Sequence, residues 1–151
     1  MVAFVLVVAV AMASAQANPA LGTWKLNVAK SKGAADMPLP KSLTRTSEAM
    51  ADGVKLTYKG VAADGSEIAF TFNVAYDGKD VPVTGKGQPF GADMIAVKRV
   101  DASTVESTLK KSGKVVARAR TVVSADGKTV TITYVDAMGM ATGTVLVYDK
   151  Q

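Results

Sequence analysis

The sequence contains no histidine and no cysteine. Histidine is the side chain that titrates near neutral pH, and it is the commonest metal ligand in proteins. Without these two residue types, Ser-His and Cys-His nucleophile pairs and ordinary zinc, copper and haem-His sites are excluded. The lack of cysteine also removes disulfides. We therefore expect no metal site and no cofactor.

Aromatic residues are few, with four Phe, four Tyr and one Trp. The 18 Lys and Arg side chains outnumber the 13 Asp and Glu side chains and give a formal charge of +5, but the basic residues are scattered along the chain. A nucleic-acid-binding surface clusters its basic residues, so we expect no nucleic-acid partner. A solvated charged exterior is the simplest interpretation, and mild attraction to anionic ligands or membrane surfaces is the alternative.

The first residues predict a signal peptide. Residues 1–12 form an uncharged apolar run that is too short to cross a bilayer as a helix, and Ala13, Ser14 and Ala15 form an A-x-A cleavage signature. No Lys or Arg precedes the run, unlike in a typical signal peptide, and a buried N-terminal strand is the alternative. We expect cleavage before Gln16, a single domain over residues 16–151, and a periplasmic or secreted location. No second long apolar run is present, so we expect no stable membrane span after cleavage.

Turn signals divide the rest of the chain at nearly regular intervals. Asp-Gly pairs stand at residues 52–53, 64–65, 77–78 and 126–127, and Ser112-Gly113 is a fifth candidate turn. Asp-Gly suits the two-residue type I′ hairpin, in which both central residues have positive φ. The spacing predicts a meander of hairpins.

The segments between these turns alternate with the period of two that half-buried strands show. Val54, Leu56 and Tyr58 share one face, and so do two further sets: Ile68, Phe70, Phe72, Val74 and Tyr76, and Val130, Ile132 and Tyr134. The pattern predicts about ten strands, near 23–27, 42–50, 54–61, 67–76, 80–84, 93–100, 104–110, 114–123, 128–135 and 143–149. We expect an all-β fold, an up-and-down antiparallel β-barrel that closes to remove its edges. A β-sandwich is the alternative.

The segment Leu21-Gly22-Thr23-Trp24-Lys25-Leu26 resembles the opening of the calycins. Gly-x-Trp at the start of the first strand is similar to lipocalins, and GTWKL is similar to the cytosolic fatty-acid-binding proteins. GTWKLN near the start and VYDKQ at the end also resemble small exported bacterial proteins. The resemblance implies a calycin-like barrel whose interior binds a ligand. It also implies a structural role for Trp24, which would plug one end of the barrel.

The chain departs from the fatty-acid-binding proteins in the residues that bind the ligand carboxylate there. Tyr148 matches their terminal Tyr, but Leu146 stands where they carry an Arg. Their second cationic residue is approached only by Arg118 and Arg120, about two residues out of register. The short stretch after Lys30 leaves no room for their helical lid.

Three arginines and five aromatic residues are the candidate ligand contacts. Arg118 and Arg120 could pair with an anionic head group if they face a cavity, but the opposite face of their strand is more apolar, which makes two solvent-facing arginines the alternative. Arg45, which shares a face with Leu43, is a similar case. Aromatic side chains either fill the core or line a cavity. Strand alternation makes four of them candidates: Tyr58, Phe70, Phe72 and Tyr134. The resemblance adds Tyr148 to this set.

Catalysis has little support in the sequence. Asp93 with Asp101, or Glu48 with Glu67, could act as acid-base pairs, but the alternation places most carboxylates in turns or on polar faces. We therefore expect a protein that is not an enzyme and that binds a small apolar or amphipathic ligand such as a fatty acid or lipid. The alternative is a filled, rigid barrel that acts as an envelope-associated protein-interaction module, with an unknown partner.

Overall fold

The computed structural model describes residues 18–151, so the predicted signal peptide over residues 1–15 lies outside the described residues. Eleven strands follow one another along this part of the chain. Their bounds are β1 Gly22–Leu26, β2 Ser42–Met50, β3 Gly53–Val61, β4 Glu67–Val74, β5 Asp77–Pro82, β6 Thr84–Lys86, β7 Met94–Arg99, β8 Thr104–Lys111, β9 Lys114–Val123, β10 Thr129–Asp136 and β11 Ala141–Lys150.

All eleven strands belong to one antiparallel sheet in the order β5-β7-β8-β9-β10-β11-β1-β2-β3-β4-β6. Seven of the ten pairs of consecutive strands are hydrogen-bonded to each other, and β11 returns to pair with β1, where Leu26 lies opposite Tyr148. The fold is therefore all-β, an up-and-down barrel that is nearly closed. The prediction of an antiparallel barrel is confirmed.

The sheet has two edges, β5 and β6, so the barrel does not close completely. The prediction of a single strand over residues 80–84 is wrong. This segment contains the end of β5 and the start of β6, which lie on opposite sides of the gap. β5 pairs with β7 through Val81, and β6 pairs with β4 through Gly85. Between them, Val83 turns its side chain into the core. Gly85 has φ +123, and any Cβ there would collide with the Ala69 carbonyl oxygen.

Only one of the predicted turns has the type I′ geometry. Ser112 and Gly113 have φ values of 50° and 78°, as this turn requires at both central positions. The type I′ prediction for the four Asp-Gly pairs is wrong, because none of these aspartates has positive φ. In three of the four pairs the aspartate instead accepts a hydrogen bond from the backbone two residues on: Asp64 from Ser66, Asp77 from Lys79 and Asp126 from Lys128.

The predicted alternation places the core inside the barrel. The inner faces of β3, β4 and β10 carry the buried side chains predicted for them, apart from Tyr76, which follows the end of β4 with φ 58. Trp24, Val130 and Tyr148 are fully buried. The two helical segments of the described chain, Val28–Lys30 and Pro89–Gly91, are single 3-10 turns, and neither is long or apolar enough to cross a membrane.

Candidate ligand-binding cavity

The inside of the barrel is hollow. A cavity of about 260 Å3 lies between the inner faces of the strands. At about 30 Å3 for each water-sized group, this volume has room for roughly nine such groups. Most of its lining is apolar, and the aliphatic part comes from strands around the whole barrel: Leu43, Leu56, Ile68, Ile95, Val97, Leu109, Val123, Ile132 and Leu146.

One wall of the cavity is aromatic because of the register between β3 and β4. Tyr58 lies opposite Phe70, and Leu56 lies opposite Phe72. The rings of Tyr58 and Phe70 stack with centroids 4.7 Å apart, and the centroids of Tyr58 and Phe72 are 6.2 Å apart. These rings form a flat apolar surface against which a chain of methylenes or a planar molecule can pack.

Arg45 brings a positive charge to the cavity wall. It lies on the inner face of β2 opposite Tyr58, and it is 4 % exposed. Its Nε donates a hydrogen bond to the Tyr58 hydroxyl at 3.1 Å, and its Nη1 donates one to the Ala20 carbonyl at 3.4 Å. A guanidinium has five N–H groups, so several donors are left for another acceptor.

Two further tyrosines stand near this charge. Burial raises the pKa of Tyr134 and of Tyr148 well above the ordinary value near 10, and the positive charge of Arg45 opposes the shift at both. At neutral pH both phenols therefore keep their protons and can act as hydrogen-bond donors. The Tyr148 hydroxyl is buried and has no hydrogen-bond partner among residues 18–151.

Different segments cross the two ends of the cavity. Residues 18–20 cross the end at which β1 begins, where the Ala20 carbonyl also accepts a hydrogen bond from Trp24 Nε1 at 3.0 Å and Asn18 donates one to the Tyr76 hydroxyl. Residues 36–40 and 87–90 line the other end. There, Phe90 adopts φ 55 and its ring lies 5.9 Å from that of Tyr134.

The structure brings six of the eight predicted ligand-contact residues together at the cavity: Arg45, Tyr58, Phe70, Phe72, Tyr134 and Tyr148. The prediction is wrong for the other two, Arg118 and Arg120, which do not face the cavity. Both alternate with the inward-facing Ala117 and Ala119 on β9, so their side chains lie on the exposed outer face. Arg120 forms an ion pair with Glu106 at 3.2 Å, and Arg118 donates to the Ala137 carbonyl.

The carboxylates considered as acid-base pairs do not meet in the cavity. Asp93, Asp101, Glu48 and Glu67 are all exposed. A hydrogen bond from the Ser103 backbone lowers the pKa of Asp101, and one from Lys86 lowers the pKa of Glu67. Within the described part of the chain, no group of three or more acidic side chains is close enough to hold a metal ion.

The sequence reasoning missed the cavity residues that come from loops. Ala20 and Phe90 line the cavity, but both lie outside the strands, where a period of two gives no information about orientation. Ala119 and Leu109 also line it. The apolar face of β9 already predicted an inward position for Ala119, whereas Leu109 shares its face of β8 with Ser107 and Lys111, so no apolar alternation marks it.

Comparison with known proteins gives no match: no family model, no curated protein and no solved structure is significantly similar to this chain.

Proposed function

We propose that this protein is a non-catalytic, calycin-like binding protein that holds one small apolar or amphipathic molecule inside its barrel. The observation that carries the proposal is the cavity of about 260 Å3 with its largely aliphatic and aromatic lining. Small-molecule sites are typically concave and mostly apolar, with a few polar groups that fix the orientation of the ligand. Arg45 and the neighbouring tyrosines supply such polar groups here.

The size of the apolar surface supports binding without covalent chemistry. Burying a methylene group contributes about 0.8 kcal/mol. A chain of seven methylenes would gain roughly 6 kcal/mol in this way, which favours a ligand of medium length. The proposed location is periplasmic or secreted, on the basis of the apolar residues 1–12 and the A-x-A signature that follows them.

Native mass spectrometry of the protein, purified without detergent from the cells that produce it, tests the proposal. The expected result is a protein that begins at Gln16 and carries one co-purifying amphiphile per chain, identified after lipid extraction. An apo mass, together with no binding of an environment-sensitive fluorescent fatty acid, would overturn the binding role.

A matched pair of variants tests whether such a ligand occupies the cavity. Ala119 lines the cavity, whereas Ala96 lies on the outer face of β7. Ala119→Leu adds three carbon atoms to a space for roughly nine water-sized groups, so we expect about ten-fold weaker binding or worse. Ala96→Leu makes the same change outside the barrel and should leave the affinity within about two-fold. Equal effects of the two variants would contradict binding inside the barrel.

One observation favours the alternative of an interaction module. Met138 and Met140, in the loop between β10 and β11, are 84 % and 63 % exposed. Exposed flexible apolar side chains of this kind are common at adaptable protein contacts. If native mass spectrometry gives the apo mass, these residues would be the first place to look for a partner.

A further inference from the structure

The charge of Arg45 has no carboxylate partner. Among residues 18–151, no Asp or Glu oxygen lies within 4.0 Å of its guanidinium. Residues 1–17 cannot supply one from a side chain, because the first acidic residue of the sequence is Asp36. Asp36 itself is an exposed residue of the segment that lines the other end of the cavity.

Such an arrangement is costly for a protein that binds nothing. A buried charge is normally paired, because taking it out of water without a partner costs several kcal/mol. Two neutral acceptors, the Tyr58 hydroxyl and the Ala20 carbonyl, share the guanidinium without neutralising it. An anion that arrives with the ligand would provide the missing partner.

The groups around Arg45 form a set of donors without a competing acceptor of negative charge. The Tyr58 hydroxyl accepts from Arg45 and has one O–H donor of its own. The Tyr148 hydroxyl is buried without a partner in the described chain. A guanidinium fork matches the two oxygens of a carboxylate. One arginine and neutral phenols balance a single negative charge, which favours a carboxylate over a doubly charged phosphate.

We propose that the cavity selects a medium-chain monocarboxylate, whose carboxylate binds Arg45 and Tyr148 at the end crossed by residues 18–20. The tail lies along Phe70 and Phe72 toward Phe90. This inference rests on the proposed binding function and names its ligand class. The cavity has room for roughly nine water-sized groups, so we expect the tightest binding for straight chains of about eight to ten carbons.

Isothermal titration calorimetry with three ligands that share one alkyl chain length distinguishes head-group recognition by Arg45 from burial of the tail in the cavity. The ligands are decanoate, decanol and decyl phosphate. We expect decanoate to bind at least about ten-fold more tightly than decanol, because only decanoate supplies the partner that the buried charge lacks. Equal affinities would overturn the carboxylate site, and tighter binding of decyl phosphate would assign the site to a phosphate instead.

Failure of the whole proposed function looks different from failure of this inference. If none of the three ligands binds, the binding role itself is contradicted and the inference falls with it. If decanol binds to the cavity but decanoate binds no better, the binding role stands and only the Arg45 site is wrong.

Arg45→Met, with Arg120→Met as its matched control, assigns the preference to one side chain. Replacing a buried charge by an apolar group of similar length is often neutral for stability, and circular dichroism verifies the fold. Arg45→Met should weaken decanoate binding by at least about thirty-fold and leave decanol binding within about three-fold. Arg120→Met removes an exposed arginine from the outer face and should change neither. A preference for decanoate that persists in Arg45→Met contradicts the inference.

A second variant and a spectroscopic measurement keep the test decisive if Arg45→Met does not fold. Tyr148→Phe removes one proposed donor and should weaken decanoate binding by about five-fold without affecting decanol. In the wild-type protein, carbon-13 NMR of carboxyl-labelled decanoate should show a carboxyl pKa below that of free decanoate, because Arg45 favours the ionised form. A bound carboxyl with an unchanged or raised pKa would contradict the contact.

Discussion

Arg45 and Arg120 belong to the same barrel but stand in opposite environments. Arg45 points inward from β2 and is 4 % exposed, with tyrosines around it and no acidic partner among the described residues. The side chain of Arg120 points outward from β9, is 55 % exposed and pairs with Glu106 at 3.2 Å. An exposed ion pair contributes little to stability, whereas a buried unpaired charge has a large cost. The inner arginine is therefore the one whose presence calls for a functional explanation.

The two faces of the sheet extend this comparison to the whole molecule. Inner positions of β4 carry Phe70 and Phe72, while the next outer position, Asn73, is exposed. A polar residue is ordinary on the outer face, whereas buried polar or charged side chains are a minority: Arg45, Ser47, Thr104, Ser107, Thr121 and Thr144. Polar groups that face the cavity are thus candidates for ligand recognition, and outer ones are candidates for solubility.

The largest effect should come from placing a charge on the inner face. Phe70→Asp removes stacking with Tyr58 and buries a carboxylate, so we expect a loss of at least about 3 kcal/mol in the free energy of unfolding. Asn73→Asp puts the same side chain on the outer face of the same strand and should change stability by less than about 0.5 kcal/mol. Urea denaturation measures both. Similar losses in the free energy of unfolding for the two variants would contradict the difference between the inner and outer faces of β4.

The buried tyrosines should make the protein sensitive to alkali. Burial raises the pKa of Tyr134 and Tyr148 in the folded state, so above pH 10 the unfolded state binds fewer protons than the folded state and stability falls as pH rises. Below about pH 9 neither state ionises these groups appreciably, and they contribute almost no pH dependence. We expect the pair to lower the free energy of unfolding by about 3 kcal/mol at pH 11.

Denaturant titrations at pH 8, 10 and 11 measure this loss, and the difference between wild type and Tyr148→Phe isolates one tyrosine. The variant should lose less stability than the wild type between pH 10 and 11. Identical losses would show that Tyr148 ionises as easily in the folded barrel as in the unfolded chain.

The smallest effects should come from two tyrosines of the cavity, and they should have opposite signs. Tyr58→Phe removes the acceptor of the Arg45 Nε hydrogen bond and should destabilise the ligand-free protein by about 1.5 kcal/mol. Tyr148→Phe removes a buried hydroxyl that has no partner in the described chain and should stabilise the ligand-free protein by about 1 kcal/mol. Thermal unfolding of the delipidated proteins measures both. A loss of stability in Tyr148→Phe would mean that its hydroxyl is satisfied without a ligand.

The sequence was sufficient to predict the barrel and six of the residues that line its cavity, but it left open whether the barrel is hollow. Strand alternation depends only on which side chains avoid water, so the inward positions of Tyr58, Phe70 and Tyr134 followed from their neighbours. Arg45 was harder, because a charged residue among apolar ones fits an inner or an outer face. Its burial depends on the carbonyl of Ala20 and the hydroxyl of Tyr58, and these are long-range contacts.

Other features depend on tertiary geometry that a local pattern does not contain. The gap between β5 and β6 arises where the chain crosses from one edge of the sheet to the other around Val83, and within residues 80–84 only Pro82, which has no backbone N–H, indicates an edge. The Asp-Gly turns failed for a different reason. The aspartate carboxylate accepts a hydrogen bond from the backbone two residues on, and this local turn competes with the type I′ conformation. Arg118 and Arg120 could have contacted a ligand only if the less apolar face of β9 pointed into the barrel.

The most direct test of the account is a crystal structure of the delipidated protein with decanoate at saturating concentration. We predict electron density for one chain inside the barrel along Phe70 and Phe72, with both carboxylate oxygens within hydrogen-bond distance of Arg45. Density for decanoate only on the outer surface, or a barrel interior filled by its own side chains, would contradict the claim that this hollow barrel is a binding site.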